Sequence, residues 1–365
     1  MIPTYLSTEP EPHDRGFAFG RDNAEAVRHT IGAYARIFEE LHGLGEADVA
    51  RLGDRSGEHV AERWPDLRVE IAGIAAGAGV DESALLAANA RTEIFAGAAP
   101  PECSALVLLP EATTGSTIVA QNWDWHPDLR ASRVVWRVVE PDGSWFVTLT
   151  EAGLLAKIGL NSRGLGLCVN LLSSSLDGGV DGTPVHVLMR LVLQRCGDLS
   201  QALKLLLGAK ASASTAFNLG LAGADGGAAV AVEVSPSGSE MLWPREPWLV
   251  HTNHFLRTPE GAVDNYRTEY PDTFVRLSVL ERNLAARTEP LDVDDVSALL
   301  RSHVNAPIAI CCHDAENATY MERQETLASI ILDLDNRRFL ISDGAPCVAP
   351  HEEVPVVPVA LAASA

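Results

Sequence analysis

The chain changes character once, at Gly97-Ala-Ala-Pro-Pro101, and that switch limits its fold more than any other feature. Before it, apolar residues step by three and four, the period of a helix packed on one face. After it, short runs rich in Val, Ile, Leu and Trp are separated by Gly, Pro and Asp turn signals, the pattern of strands. A helical first hundred residues is therefore expected, followed by strand runs flanked by helical blocks. Two packed sheets covered by helix layers fit that order. Periodicity alone does not choose this arrangement over a three-layer α/β fold.

In the first part, Val27, Ile31, Tyr34, Phe38 and Leu41 form one stripe of a helix that Gly43 ends. Pro65 suits the first position of a second helix, with Leu67, Ile71 and Ile74 on one face. Asp81 suits the N-cap of a third, running toward Phe95. Strands are predicted over 105–109, 117–122, 134–139, 145–149, 165–170, 216–222, 228–234 and 248–253, and a hairpin over 326–333 and 338–341. Pro141-Asp142-Gly143 marks a hairpin turn. Helices are predicted to open at Thr183-Pro184 and Asp198, and to cover 272–286 and 293–301. There is no internal repeat, and only the Ala/Pro/Val tail after Pro350 approaches low complexity.

Charge excludes some partners. The 365 residues carry 28 Lys and Arg against 49 Asp and Glu, a formal net charge of −21. Phosphate binding needs clustered cations, so no nucleic-acid partner is expected, and an anionic membrane surface is disfavoured too. The N-terminus lacks the basic start and apolar core of a signal peptide, and no apolar run approaches the ~18 residues of a membrane span. A cytoplasmic location is the expectation. Six scattered cysteines in such a chain do not suggest a disulfide framework. No GxGxxG follows an early strand and there is no P-loop, so nucleotide binding lacks support.

Cys103 is the residue whose position suggests chemistry. A single cysteine is most often a small buried hydrophobe. This one opens a strand, just after a Pro-Pro turn, where a thiol is held rigidly and can face a cleft. A thiol needs a base, and His126, His186, His251, His254, His303 and His313 are available, none in a recognisable cysteine-protease context. A different solution is cleavage of the Glu102–Cys103 bond. Cys103 then gains an α-amine of reference pKa roughly 7.7–8.0 next to its own sulfur, and one residue supplies nucleophile and base.

The sequence resembles the acyl-coenzyme A:6-aminopenicillanate (isopenicillin N) acyltransferase family of N-terminal nucleophile hydrolases. The likeness runs from about Arg15 to Cys347 and rests on Glu62-Arg-Trp-Pro65, Asn89-Ala-Arg-Thr-Glu93, Cys103, Gln121-Asn-Trp-Asp124, Thr150-Glu-Ala-Gly153, Gly159-Leu-Asn-Ser162 and His251-Thr-Asn-His254, in order. The resemblance implies an α+β fold, the four-layer αββα sandwich, with a helical N-terminal segment. It implies a precursor that cuts itself into chains 1–102 and 103–365, which stay together as a heterodimer forming one intertwined domain.

It also implies the roles of the site. Asp124 stands at the family's aspartate, where a carboxylate would orient the new α-amine. Asn253 matches the asparagine that stabilises the oxyanion. Asn170 resembles a second active-site asparagine, although capping a strand end explains it equally well. Arg276 lies where related enzymes keep an arginine that favours thiolate; its alternative is a surface helix arginine. Trp123, Thr150 and Glu151, inside the matching motifs, and Trp125, next to one, are the expected substrate-binding wall.

The sequence also departs from the pattern. Glu102 stands where the penicillin enzyme has glycine, which bears on the cutting rate. Gln121 stands where bile-salt hydrolases carry arginine, which disfavours that branch. Ile310-Cys-Cys-His313 differs from the family's loop; with no second Cys/His pair at zinc spacing, no metal is expected, and no organic cofactor is needed. The expected substrate is a small N-acyl or amide compound, hydrolysed through a Cys103 acyl-enzyme. Two alternatives remain: an acyl-coenzyme A-dependent transferase, and a catalytically silent binding protein on the same fold.

Overall fold

The computed structural model describes residues 1–96, 98 and 102–356. The Pro100-Pro101 turn expected ahead of Cys103, and the tail from residue 357, lie outside the described residues.

The N-terminal part holds β1 (Thr4–Ser7), then α1 (Pro12–Asp22), α2 (Ala24–His42), α3 (Glu46–Arg63), α4 (Pro65–Ala78), α5 (Glu82–Asn89) and α6 (Arg91–Phe95). The expected stops and starts are there. Gly43 takes the left-handed conformation (φ 64°) that ends α2, Pro65 opens α4, and the Asp81 side chain accepts from the Ala84 N–H to cap α5. The third predicted helix breaks at Ala90 into α5 and α6. α1 and α3 were not predicted. Their mean hydropathy is low, and glycines replace apolar residues at their contact faces. Those glycines decide the packing of α1 on α4: a Cβ at Gly16 would lie 2.2 Å from the Glu70 carbonyl oxygen, and one at Gly73 2.3 Å from that of His13. The helices touch backbone to backbone.

The remainder forms β2 (Glu102–Leu108), β3 (Ile118–Trp125), β4 (Arg133–Val139), β5 (Trp145–Glu151), β6 (Ile158–Asn161), β7 (Leu165–Leu171), α7 (Val185–Arg195), α8 (Leu199–Leu207), β8 (Thr215–Leu221), β9 (Ala228–Ser235), β10 (Gly238–Leu242), β11 (Trp248–His251), α9 (Tyr266–Glu269), α10 (Asp272–Ala285), α11 (Val293–Leu300), β12 (Glu325–Asp333), β13 (Arg338–Ser342) and β14 (Glu352–Val354). They make two sheets. One has the order β1-β4-β5-β6-β7-β8-β9-β10, the other β11-β2-β3-β12-β13-β14. All pairs are antiparallel except β1 with β4. The N-terminal segment is thus not purely helical: four residues too short to show a period supply an edge strand.

Strand alternation sorts the core into layers. Ala105, Val107, Val119, Val147, Leu149 and Leu160 meet between the sheets. Trp136, Phe146, Leu165 and Leu167 turn outward under α4 and α7. Leu106, Ile118, Ala120 and Ile331 turn outward under α10 and α11. The fold is the four-layer αββα sandwich, which rules out the three-layer alternative. At one end of the space between the sheets, α2 and α6 form a plug, with Phe38, Phe95 and Trp125 in ring contact at 5.6 and 5.7 Å. Among the described residues, no helix is long and apolar enough to cross a membrane.

Candidate active site

Cys103 sits where a strand loses its neighbour. β11 pairs with β2 only as far as His251 opposite Ala105. Beyond that point the free edge of β2 is held by side chains. The Cys103 N–H donates to Asn253 Oδ1 (2.9 Å). The Cys103 carbonyl accepts from Asn170 Nδ2 (2.8 Å) and Arg276 Nη1 (2.9 Å). Buried backbone groups need partners, and here three side chains from separate elements provide them. Asn170 lies on β7 and is itself fixed by Asn218, whose Nδ2 donates to its Oδ1 (2.8 Å). Arg276, on α10, also reaches Asn253 Oδ1 (3.1 Å) and is anchored by Asp272 (3.0 Å). It is fully buried, so the surface-arginine alternative is excluded. The network fixes the Asn253 amide: Oδ1 faces the Cys103 nitrogen, and Nδ2 donates to the Leu171 carbonyl (2.9 Å). An amide nitrogen carries two donors, which leaves a second N–H beside Leu171, a residue of the cavity wall.

On its other edge β2 pairs with β3, Glu102 opposite Asp124 and Cys103 opposite Trp123. The bond on the N-terminal side of Cys103 therefore lies across the ladder from Asp124. A register shift in β12 between Thr326 and Ala328 re-aims Thr326, whose hydroxyl donates to Asp124 Oδ1 (2.5 Å). Gln121 clasps the facing sheet, donating to the Val169 carbonyl (2.5 Å) and accepting from its N–H (3.1 Å).

A cavity of about 20 Å³ borders Cys103, Trp123, Asp124 and Trp125. It admits about one water, not an acyl group. Its floor is ionic. Glu151 faces inward and pairs with Lys157 Nζ (2.6 Å), with Arg91 Nε farther off (3.9 Å), while the Tyr34 hydroxyl donates to it. Burial alone would raise the Glu151 carboxyl, but the Lys157 and Arg91 charges bring it down to about 2. Burial pushes the Lys157 ammonium down to about 7 despite Glu151. Lys157 Nζ also lies 3.7 Å from the Trp123 ring centre. Burial, then the Asp124 carboxylate, push the Cys103 thiol up to about 11, against the pull of Lys157 and Arg276.

The structure thus brings Cys103, Asp124, Asn170, Asn253 and Arg276 together, with Trp123 and Trp125 on the wall. Thr150 corrects the expectation. Alternation on β5 turns it toward the helix-covered face, where its hydroxyl donates to the Leu154 carbonyl (3.2 Å), and it does not line the cavity. Glu151 lies behind the wall and acts through Lys157 and Arg91, which do line it. Sequence reasoning missed those two cations, Tyr34 and Asn218. Asn89, inside a noted motif, pins the turn after β5 by donating to the Gly153 carbonyl (2.9 Å) and accepting from the Leu155 N–H (3.0 Å). Of the candidate histidines, His186 lines the cavity; burial, then Arg91 and Lys157, hold it neutral, and its Nδ1 donates to the Ala156 carbonyl (2.8 Å). His251 pairs with Glu233 and His254 with Thr273.

A profile of the acyl-coenzyme A:6-aminopenicillanic acid acyl-transferase family matches residues 112–346. The chain belongs to that family. The matched stretch contains Asp124, Asn170, Asn253 and Arg276 and begins after Cys103. A relative from Emericella nidulans, the acyl-coenzyme A:6-aminopenicillanic-acid-acyltransferase 40 kDa form, is 26% identical over 344 residues, covering 94% of this chain and 93% of its own. Among solved structures, penicillin V acylase from Agrobacterium tumefaciens is similar with a TM-score of 0.47 at 15% identity, over 66% of this chain and 83% of that one. Conjugated bile acid hydrolase from Clostridium perfringens aligns with a TM-score of 0.43 at 12% identity, over 66% and 89%. The family places the chain among acyl-transferring enzymes.

Proposed function

We propose that the chain is a self-processing amidohydrolase whose nucleophile is Cys103 at the head of a new N-terminus. What carries this reading is the grip of Asn253, Asn170 and Arg276 on the backbone of Cys103 where the neighbouring strand stops. A residue that keeps its place after losing its N-terminal neighbour needs such side-chain anchors. In the precursor, the Cys103 thiol attacks the Glu102 carbonyl carbon. The C–N bond breaks, the nitrogen leaves as the α-amine of Cys103, and a thioester remains on the sulfur. Water cleaves that thioester, giving the Glu102 carboxylate and the free thiol. Asn253 Oδ1 receives the amine, and Asp124, across the ladder from the cut, holds its charge.

The same chemistry then runs on a substrate amide. The α-amine takes the thiol proton and hands it to the leaving amine, the second Asn253 N–H meets the oxyanion, and water releases the acyl group. Walls from α6 and sheet strands alike surround Cys103, so residues on both sides of the cut build one site, as a heterodimer of the two pieces requires. The small cavity fits an uncut precursor. The long match to the fungal acyltransferase favours one second reading, transfer of the acyl group from acyl-coenzyme A to an amine such as 6-aminopenicillanate.

Purified protein should appear as pieces of about 11 and 28 kDa, from 39.0 kDa spread over 365 residues, the larger beginning at Cys103. Cys103→Ala should remain whole. Release of acid from N-acyl amides, with and without an added amine acceptor, separates hydrolase from transferase. An intact chain with full amidase activity would sink the scheme. Cleavage without acylation of Cys103 would mark a silent binding protein.

A further inference from the structure

We propose that His303, Cys311, His313 and Cys347 form a structural zinc site, separate from Cys103. One ligand atom from each residue lies within 4.8 Å of all the others. His303 Nε2 is 3.0 Å from His313 Nε2, Cys311 Sγ is 3.6 Å from that nitrogen, and Cys347 Sγ is 3.4 Å from it. A tetrahedral zinc with bonds of about 2.0 Å to nitrogen and about 2.3 Å to sulfur has edges of about 3.3 Å between nitrogens and about 3.6 Å between nitrogen and sulfur. The three distances lie within about 0.3 Å of those edges. Two thiols and two imidazoles are also the donor set of closed structural zinc sites.

The sequence argues against a metal only because the second pair is not local. The fold supplies it. His303 comes from the loop after α11, Cys311 and His313 from its far end, and Cys347 from the connection between β13 and β14, 34 residues on from His313. Cys347 and His303 are exposed and His313 half-buried, so an ion can enter from solvent. Binding displaces one proton from each thiol and leaves a neutral centre with two imidazoles and two thiolates.

With four protein ligands the site has no open position, and its role is positional. It ties the loop over 301–313 to the C-terminal segment. That loop backs the Asp124 side of the sandwich: Asn122 Nδ2 donates to the Ile310 carbonyl (2.6 Å), and the Cys312 N–H donates to Thr326 Oγ1 (3.0 Å), the same hydroxyl that donates to Asp124.

The test uses the full chain, purified under reducing conditions without a metal-affinity tag. Elemental mass spectrometry should find about one zinc per chain, and Cys311→Ser/Cys347→Ser should reduce that to background. A chelator should lower the wild-type melting temperature and added zinc should restore it. Cobalt should give the intense visible bands of a tetrahedral thiolate centre. Failure of reduced wild-type protein to take up zinc or cobalt would overturn the proposal without depending on any variant. So would full zinc content in the double variant. A chain two hydrogens lighter, with Cys311 and Cys347 blocked to alkylation even after mild reduction and zinc addition, would show a disulfide instead.

Discussion

Two buried carboxylates in this protein are each set between two cations. Glu70, on α4, accepts from Arg15 Nη2 of α1 (2.9 Å) and, with both oxygens, from Arg190 Nη2 of α7 (2.9 Å). Glu151, at the end of β5, lies between Lys157 and Arg91. Both acids are fully buried. Charge and burial therefore do not distinguish them. The difference is in the cations. The Glu70 pair are arginines, which keep their charge, stacked in part on Trp136 and Phe146 under the helix layer. Beside Glu151 stands a lysine brought down to about 7, facing a cavity that holds a thiol. One cluster pins three elements, and the other can change charge near neutral pH next to Cys103.

The strongest break in this comparison is Glu70→Gln. It leaves two buried guanidiniums with only the more distant Glu140, 3.6 Å from Arg15 Nη1, as counter-charge, and loss of one partner of a buried ion pair costs about 3–5 kcal/mol. Urea unfolding should show a loss of that size. Glu151→Gln should cost less, because Lys157 can shed its proton when the partner charge goes. Equal losses in the two variants would mean that both clusters are purely structural.

Glu93 sharpens the contrast as a buried carboxylate held by a backbone N–H. On α6, its Oε1 accepts from the Val185 N–H (2.9 Å), and burial pushes its carboxyl up to about 7 against the pull of that bond and of Arg91. The folded chain therefore keeps a proton here that the unfolded chain releases above about 4.5. Between about pH 4.5 and 7 the unfolded state binds fewer protons, so this group's contribution is full at low pH and is lost as pH rises to about 7, by up to about 3 kcal/mol. Glu93→Gln should flatten urea stability across that window. An unchanged slope would show that Glu93 is ionised in the folded state.

Local signals made much of the scaffold legible. Gly43 and Pro65 act through their own backbone and Asp81 and Asp198 through a side chain that caps the backbone three residues on, and each ends or begins a helix as expected. The turn signal ahead of it put Cys103 at the head of a strand, where it stands in β2. What escaped was set by long-range contact. β6 and β10 are short, and neither was predicted. Lys157 gave no sequence signal, since its importance comes from burial against Glu151 and Trp123, which alternation on separate strands creates. Thr150 went wrong for the same reason: a motif names neighbours in sequence, while a strand sends them to opposite faces. The anchoring of the Cys103 nitrogen by Asn253 Oδ1 depends on where β11 stops, and no local pattern encodes that.

The smallest predicted effect is the most specific to the Glu151 cluster. A cation beside a buried thiol favours thiolate, and Lys157 opposes the burial and the Asp124 charge that push Cys103 up to about 11. Lys157→Met should therefore slow alkylation of Cys103 at pH 7 roughly tenfold, the effect of one pKa unit, and move its pH profile upward. Arg190→Met removes a cation of the other cluster. It should destabilise the fold yet leave Cys103 alkylation unchanged per folded molecule. Because Lys157 loses its own proton near neutrality, the wild-type advantage should be largest below about pH 7 and shrink above it. Equal slowing in both variants would show that the thiol responds to loosened packing rather than to charge, and the difference between the two clusters would then be one of position only.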